Sequence, residues 1–164
     1  MKKLYIIRHA KSSWSDLTLS DFDRPLNERG ERDAPRMGKR LKEKQITPDL
    51  LLSSPAKRAI ATAEYIAHAM NYPIQNIKTD RKLYHADEDG MLNIVKSINN
   101  KHDEVLIFGH NPGLTEFVNR LTNSKIENIP TCGIAACTFH ADSWNLITWN
   151  SGELKFFDYP KRKD

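Results

Sequence analysis

Cysteine is scarce in this chain: Cys132 and Cys137 are the only two in 164 residues, with no CxxC pair and no His/Cys cluster at metal-ligand spacing. That argues against a structural zinc domain and against a disulfide scaffold, and two ordinary thiols are expected. Long apolar runs are missing as well. None approaches the roughly 18 residues needed to span a bilayer. The apolar stretch at the N-terminus stops at Ile7, so Met1-Lys2-Lys3-Leu4 reads as the start of a strand rather than a signal peptide. No membrane partner is expected, and cytoplasmic residence is the default. Repeats, low-complexity tracts and linkers are absent too. The charge excess is mild, a formal +4. Lys39, Arg40, Lys42 and Lys44 form one basic helix face and Lys161-Arg162-Lys163 a basic tail. Neither carries interleaved aromatic or groove-reading elements, so both are solvated faces and no nucleic-acid partner is expected. A basic surface still helps to gather anionic substrates.

What is present is an alternation. At this length the chain supports one domain, residues 1–164, around one core. Strand-like runs at 3–8, 50–52, 104–108, 134–139 and 144–149 alternate, through most of the chain, with helical patterns. Ala59, Ile60, Ala63, Ile66, Ala67 and Met70 make a helical face over 56–70, with Ser54 as N-cap and Pro55 as first helical residue. Asn111-Pro112 repeats the device before Leu114, Phe117, Val118 and Leu121. A helix over 88–99 turns Met91, Val95 and Ile98 inward and starts at Asp87 or Asp89. The helix near 28–44 contains Pro35, which either kinks it or marks a new start near Asp33. The last third reads as β structure, with a hairpin at Ser151-Gly152. This pattern predicts an α/β fold, a three-layer α/β/α sandwich whose central sheet is mostly parallel. The polar, aperiodic segment from Ala10 to Leu26 is expected to be a loop beside the site.

Three strand-like runs end in chemistry-bearing residues: Arg8-His9 after the first, Ser53-Ser54-Pro55 and then Arg58 after the second, Gly109-His110-Asn111-Pro112 after the third. Ligands of open α/β sheets bind outside the carboxyl ends of the strands. Two histidines and two arginines at one such edge suit phosphoryl chemistry. Arginine offers paired, planar donors that match phosphate oxygens. A neutral imidazole can act as nucleophile through a covalent phosphohistidine, and helix N-termini add affinity for anions.

These residues fall into four blocks: Arg8-His9-Ala10, Pro25-Leu26-Asn27-Glu28-Arg29-Gly30, Ser53 to Glu64, and Gly109-His110-Asn111-Pro112-Gly113. In that order they resemble the histidine phosphatase (phosphoglycerate-mutase-like) superfamily, with Ala10 where the family signature has glycine. The short chain, the Arg-His-Ala start and the Gly-His-Asn-Pro block look most like the SixA-type phosphohistidine phosphatases. The resemblance implies a phosphoglycerate-mutase-like fold, no cofactor and no metal. It implies His9 as nucleophile, with Arg8, Arg58 and His110 gripping the phosphoryl group. Ser15 falls where many relatives place a phosphate-touching Asn. Branches of the family that supply a general acid put it either at the position of Asn111 or at that of His85, so no carboxylate occupies either place. A P–N bond tolerates this better than an unactivated ester, because the imidazole leaves with its own proton.

The expected activity is therefore a metal-independent phosphatase acting on phosphohistidine in proteins. A phosphatase for a small phosphomonoester, with His85 as acid, is the alternative, and a non-catalytic phosphoprotein-binding module the second. Arg8 and Arg58 are expected to lower the pKa of His9. Asp21 and Asp23 read as turn polarity, Trp14 as loop packing, and the oligomeric state is open.

Overall fold

In the computed structural model, residues 1–162 are described and form one six-stranded sheet between two pairs of helices. The strands are β1 (Lys2–Arg8), β2 (Leu50–Ser53), β3 (Lys78–Thr79), β4 (Glu104–Gly109), β5 (Ile134–Phe139) and β6 (Glu153–Asp158), in the spatial order β3-β2-β4-β1-β5-β6. The first four run parallel; β5 is antiparallel to β1, and β6 to β5. The helices are α1 (Glu28–Glu43), α2 (Lys57–Ala69), α3 (Glu88–Lys96) and α4 (Gly113–Thr122).

Alternation along the strands splits the core in two, since successive side chains point to opposite faces. Tyr5 and Ile7, Leu51, and Leu106 and Phe108 face α1 and α2, meeting Met37, Leu41, Ala63 and Ile66. Leu4 and Ile6, Leu50 and Leu52, and Val105 and Ile107 face α3 and α4, meeting Met91, Val95, Leu114 and Phe117. Burial on both faces explains why these runs read as continuous apolar stretches. The three-layer α/β/α sandwich is thus the observed architecture.

Several local expectations need correction. The run 144–149 is not a strand: Trp144–Leu146 is a single 3-10 turn, and the last strand is β6. The buried pair there is Trp144 and Ile147, three apart, whereas Leu146 is 66% exposed. A spacing of three suits a turn and defeats the period of two that a half-buried strand requires. The Trp144 indole N–H donates to the His102 carbonyl at 2.7 Å, which anchors the turn. Helix α1 runs unbroken through Pro35. The one carbonyl that Pro35 leaves unpaired, on Glu31, belongs to an exposed residue and can meet water. Asn27 caps this helix, accepting from the Gly30 N–H at 2.9 Å. Helix α3 begins after Asp87 and stops at Lys96, short of the expected 99. The two-residue β3 gave no sequence signal. Both cysteines are free, buried thiols. Lys163 of the basic tail lies outside the described residues.

Candidate active site

The parallel strands deliver three chain segments to one edge. Arg8 pairs with Gly109 across β1 and β4, and Ser53 pairs with Phe108 across β2 and β4, so His9, Ser54 and His110 leave the sheet side by side. Backbone hydrogen bonds extend the ladder beyond the strands: the His9 N–H donates to the Gly109 carbonyl and the Ser54 N–H to the Phe108 carbonyl. From the other side, the Cys132 N–H is shared between the carbonyls of Arg8 and His9, at 3.1 and 3.0 Å. The backbone around His9 is therefore fixed on both flanks.

The edge opens into a pocket of about 330 Å³ lined by Arg8, His9, Lys11, Ser12, Trp14, Asp21, Arg24, Arg58, His85, His110, Asn111 and Thr131. His9 and His110 are buried, with ring centroids 5.2 Å apart, and Arg58 is buried between them. The Arg58 Nε–H points at His9 Nε2, and an Nη2–H points at His110 Nδ1, each at 3.4 Å.

The partners of each ring define its tautomer. His9 Nδ1 lies 2.7 Å from the Ala10 carbonyl, which can only accept, so Nδ1 carries the proton and Nε2 keeps its lone pair toward Arg58. His110 Nδ1 faces a guanidinium, which can only donate, so its proton sits on Nε2 and is donated to Ser54 Oγ at 2.8 Å. Burial, before any charge, pulls the His9 pKa down to about 4; Arg58, Arg8 and Arg24 push the same way, against the Ala10 hydrogen bond. The cations named from the sequence thus contribute, but burial is the larger cause. Burial likewise takes His110 down to about 3, with His9, Arg58 and His85 adding to it. Both imidazoles are neutral at pH 7. Arg8 donates through Nη1 to the Ile129 carbonyl at 3.0 Å, and its Nε is buried without a protein partner. A phosphoryl oxygen would satisfy that donor.

Asp21 is where the sequence reading fell short. It is not mere turn polarity. Its carboxylate accepts from Arg58 at 3.0 Å, from Tyr84 Oη at 2.6 Å and from Arg24 at 3.1 and 3.2 Å. Its partial burial opposes ionisation, yet the hydrogen bonds from Tyr84, Arg24 and Arg58 hold it well below the usual carboxylate range. The sequence signal was faint, an Asp three residues before an Arg in an aperiodic loop. Trp14 does pack the loop, with the Arg24 guanidinium 3.6 Å from its ring, but it also lines the pocket.

Other placements differ from expectation. Ser15 does not line the pocket; its Oγ pairs with Ser13 Oγ at 2.8 Å on the surface. Ser54 is not the N-cap of α2, which starts at Lys57 behind Ala56, because its hydroxyl is engaged by His110 and by the Ala56 N–H. Asn111 is not the N-cap of α4 either, since Pro112 holds that place and the helix starts at Gly113, but its Oδ1 accepts from the Thr115 N–H while its amide donates to Asn128 and Ile129. His85 reaches the pocket in a left-handed backbone conformation (φ 62°), its ring 3.9 Å from that of Tyr84. The loop that carries it is pressed against α4: a Cβ on Gly113 would collide with the Ala86 carbonyl. Among the described residues no group of three or more His, Cys, Asp or Glu side chains is placed to hold a metal ion, and no helix is long and apolar enough to cross a membrane.

Comparison with known proteins agrees with this geometry. Residues 4–91 match the family profile of the histidine phosphatase superfamily, branch 1. An uncharacterised chloroplastic protein of Arabidopsis thaliana is 32% identical over 151 residues, 87% of this chain and 69% of the relative. The structure of a proposed phosphohistidine phosphatase SixA from Agrobacterium tumefaciens matches with a TM-score of 0.81 and 25% identity, covering 97% of this chain and 98% of that one. A tungstate complex of the protein histidine phosphatase SixA shares the fold, with a TM-score of 0.81 at 22% identity over 96% and 97% of the two chains. With the profile spanning more than half of its length and the fold matched end to end, this chain belongs to the histidine phosphatase superfamily.

Proposed function

We propose that this phosphatase hydrolyses phosphohistidine on proteins through a phospho-His9 intermediate. The observation that carries the reading is the state of the pocket's carboxylate. Asp21 is the one carboxylate among the lining residues, and all four of its lone-pair positions are taken by donors. Ionised and saturated, it has no proton to give a leaving group.

A leaving imidazole needs none. His9 Nε2 attacks phosphorus while the P–N bond breaks in a phosphohistidine already protonated on its other ring nitrogen; the electron pair of that bond returns to the substrate ring, which departs as neutral imidazole. Nucleophile and leaving group are the same chemical species, so the transfer is close to balanced without an acid. The Ala10 carbonyl accepts the His9 Nδ1–H hydrogen bond throughout and stabilises the imidazolium character that phosphorylation creates. Arg8 and Arg58 present fixed N–H donors to the phosphoryl oxygens, the arrangement that stabilises charge spread over them in the transition state, and His110, tied to Ser54, backs Arg58 from behind. Water then attacks the phosphoryl group, releasing inorganic phosphate and restoring neutral His9.

The test is metal-free turnover of a phosphohistidine peptide beside a simple alkyl phosphate, with wild type and His9→Ala. Rapid, His9-dependent cleavage of the P–N bond with slow cleavage of the ester is the expected result. A second reading rests on His85, which lines the pocket with an imidazole, the side chain most often used as a general acid. If the alkyl ester is cleaved as fast, and His85→Ala slows it selectively, the protein is a phosphomonoesterase instead.

A further inference from the structure

The four donors on Asp21 have a consequence for the arginines themselves. Arg58 makes two kinds of contact. Toward the reacting rings its bonds are long, 3.4 Å to each histidine. Toward Asp21 they are short: Nη1 donates to the Asp21 carbonyl at 2.6 Å and Nη2 to its carboxylate at 3.0 Å. The guanidinium is thus gripped from one side and only loosely engaged on the side where a phosphoryl group would lie. The same carboxylate takes two bonds from Arg24, whose Nη1 is tied at 2.6 Å to Ser12 Oγ on the opposite strand of the loop. Tyr84 closes the set, its ring braced edge-on by Phe22 at 5.2 Å.

We infer, building on the phosphatase reading of this pocket, that Asp21 is a positioning residue: its carboxylate locks Arg24 and Arg58 into one rigid unit and so aims the loosely held Arg58 N–H groups, those facing the two histidines, at the phosphoryl oxygens. A long arginine side chain has several rotamers of similar energy, and holding it before substrate arrives removes an ordering cost from the reaction. The carboxylate also separates two like charges that would otherwise repel each other inside one pocket. Asp21 itself takes no proton and gives none. The contrary role, a latch that competes with phosphate for Arg58, predicts effects of opposite sign.

The experiment compares Asp21→Asn and Tyr84→Phe, each in the wild-type and Arg58→Ala backgrounds, with p-nitrophenyl phosphate, whose leaving group needs no acid. Enzyme is kept high enough to read residual rates. In the wild-type background Asp21→Asn lowers kcat/KM by about 10- to 100-fold and weakens orthovanadate inhibition in step, as expected for a misplaced anion-stabilising donor. Tyr84→Phe, which removes one donor and leaves the charge, has a smaller effect of about 2- to 5-fold. In the Arg58→Ala background both changes fall within about 2-fold, because the arginine that Asp21 aims at the phosphoryl oxygens is gone. Melting temperatures are measured alongside. Asp21→Asn that speeds turnover or tightens vanadate would overturn the inference in favour of the latch. Equal losses in both backgrounds would overturn it in favour of a general structural role. Should Asp21→Asn not fold, the Tyr84→Phe pair of measurements decides alone. The underlying phosphatase reading fails separately, if wild type and His9→Ala turn over phosphoryl substrates equally.

Discussion

The two walls of the pocket are built on different principles. One wall is the carboxyl edge of the sheet, where Arg8, His9 and His110 follow strands whose register is set by ladder hydrogen bonds. The other is the loop from Ala10 to Leu26, which has almost no regular structure: a 3-10 turn at Asp21–Asp23 and one isolated bridge, Ser12 to Leu26. Its order comes from side chains instead, through Ser12, Arg24, Asp21 and Trp14. The loop is also pinned against α1, since a Cβ on Gly30 would collide with the Lys11 carbonyl. Backbone ladders hold the reacting atoms, and a polar side-chain network holds the group between them, Arg58. Removing a residue from the first wall should delete a chemical role. Removing one from the second should blur the geometry.

The largest expected effect therefore lies on the sheet edge. His9→Ala removes the nucleophile and should lower kcat by about 10³-fold or more, read in single-turnover and steady-state assays; no phosphorylated enzyme should be trapped by acid quench. Arg58→Lys comes next. It keeps the charge but loses the fork that addresses His9, His110 and Asp21 together, and a loss of about 10²-fold in kcat/KM is expected. Recovery to near wild type would mean that Arg58 acts only as a point charge. On the loop wall, Arg24→Ala should cost about 10-fold in kcat/KM, with a melting temperature lowered by a few degrees as the buried network opens. If it matches Arg58→Lys, the two walls are not functionally distinct.

The smallest effect expected is that of pH. His9 titrates near 4, so lowering the pH from 8 to 5 leaves its Nε2 lone pair available. With a substrate whose leaving group does not titrate in that range, the His9-dependent limb of kcat/KM should stay flat until the pH nears 4. A fall through neutrality would mean that His9 is not held neutral as its burial dictates. Stability carries the matching sign. His9 and His110 bind protons in the unfolded chain at about pH 6.5 but resist them when folded, so each favours the folded state fully above that value. That contribution is lost as pH falls toward the folded values near 4 and 3. Thermal scans from pH 7 to 4 should show a falling melting temperature whose slope is shallower in His9→Ala.

Most of the first wall was legible in the sequence because its information is local. An apolar run buried on both faces announces a strand, and the residue following it stands at the sheet edge. His9, Arg58 and His110 needed no more than that and their motif context. The second wall was not legible, and neither were the roles of Ser54 at the sheet edge and Tyr84 beyond the loop. Asp21, Ser54 and Tyr84 are ordinary polar residues in ordinary places, and their importance comes from partners up to 63 positions away in the chain. Ser54 shows the limit well. A serine before a proline is a good cap by local rules, yet its hydroxyl is taken by a histidine 56 residues further on.

The sequence by itself determined the layered α/β architecture, the ends of β1, β2 and β4, and the identity of the histidine and arginine residues at them, since hydrophobic periodicity and short motifs are local properties. Only the tertiary structure decided the rest: that 144–149 turns rather than extends, that Ser15 stays outside while Asp21 comes in, and that burial more than charge keeps both imidazoles neutral. Those outcomes depend on which surfaces meet and how much water they exclude. Such quantities exist only once distant segments have packed together.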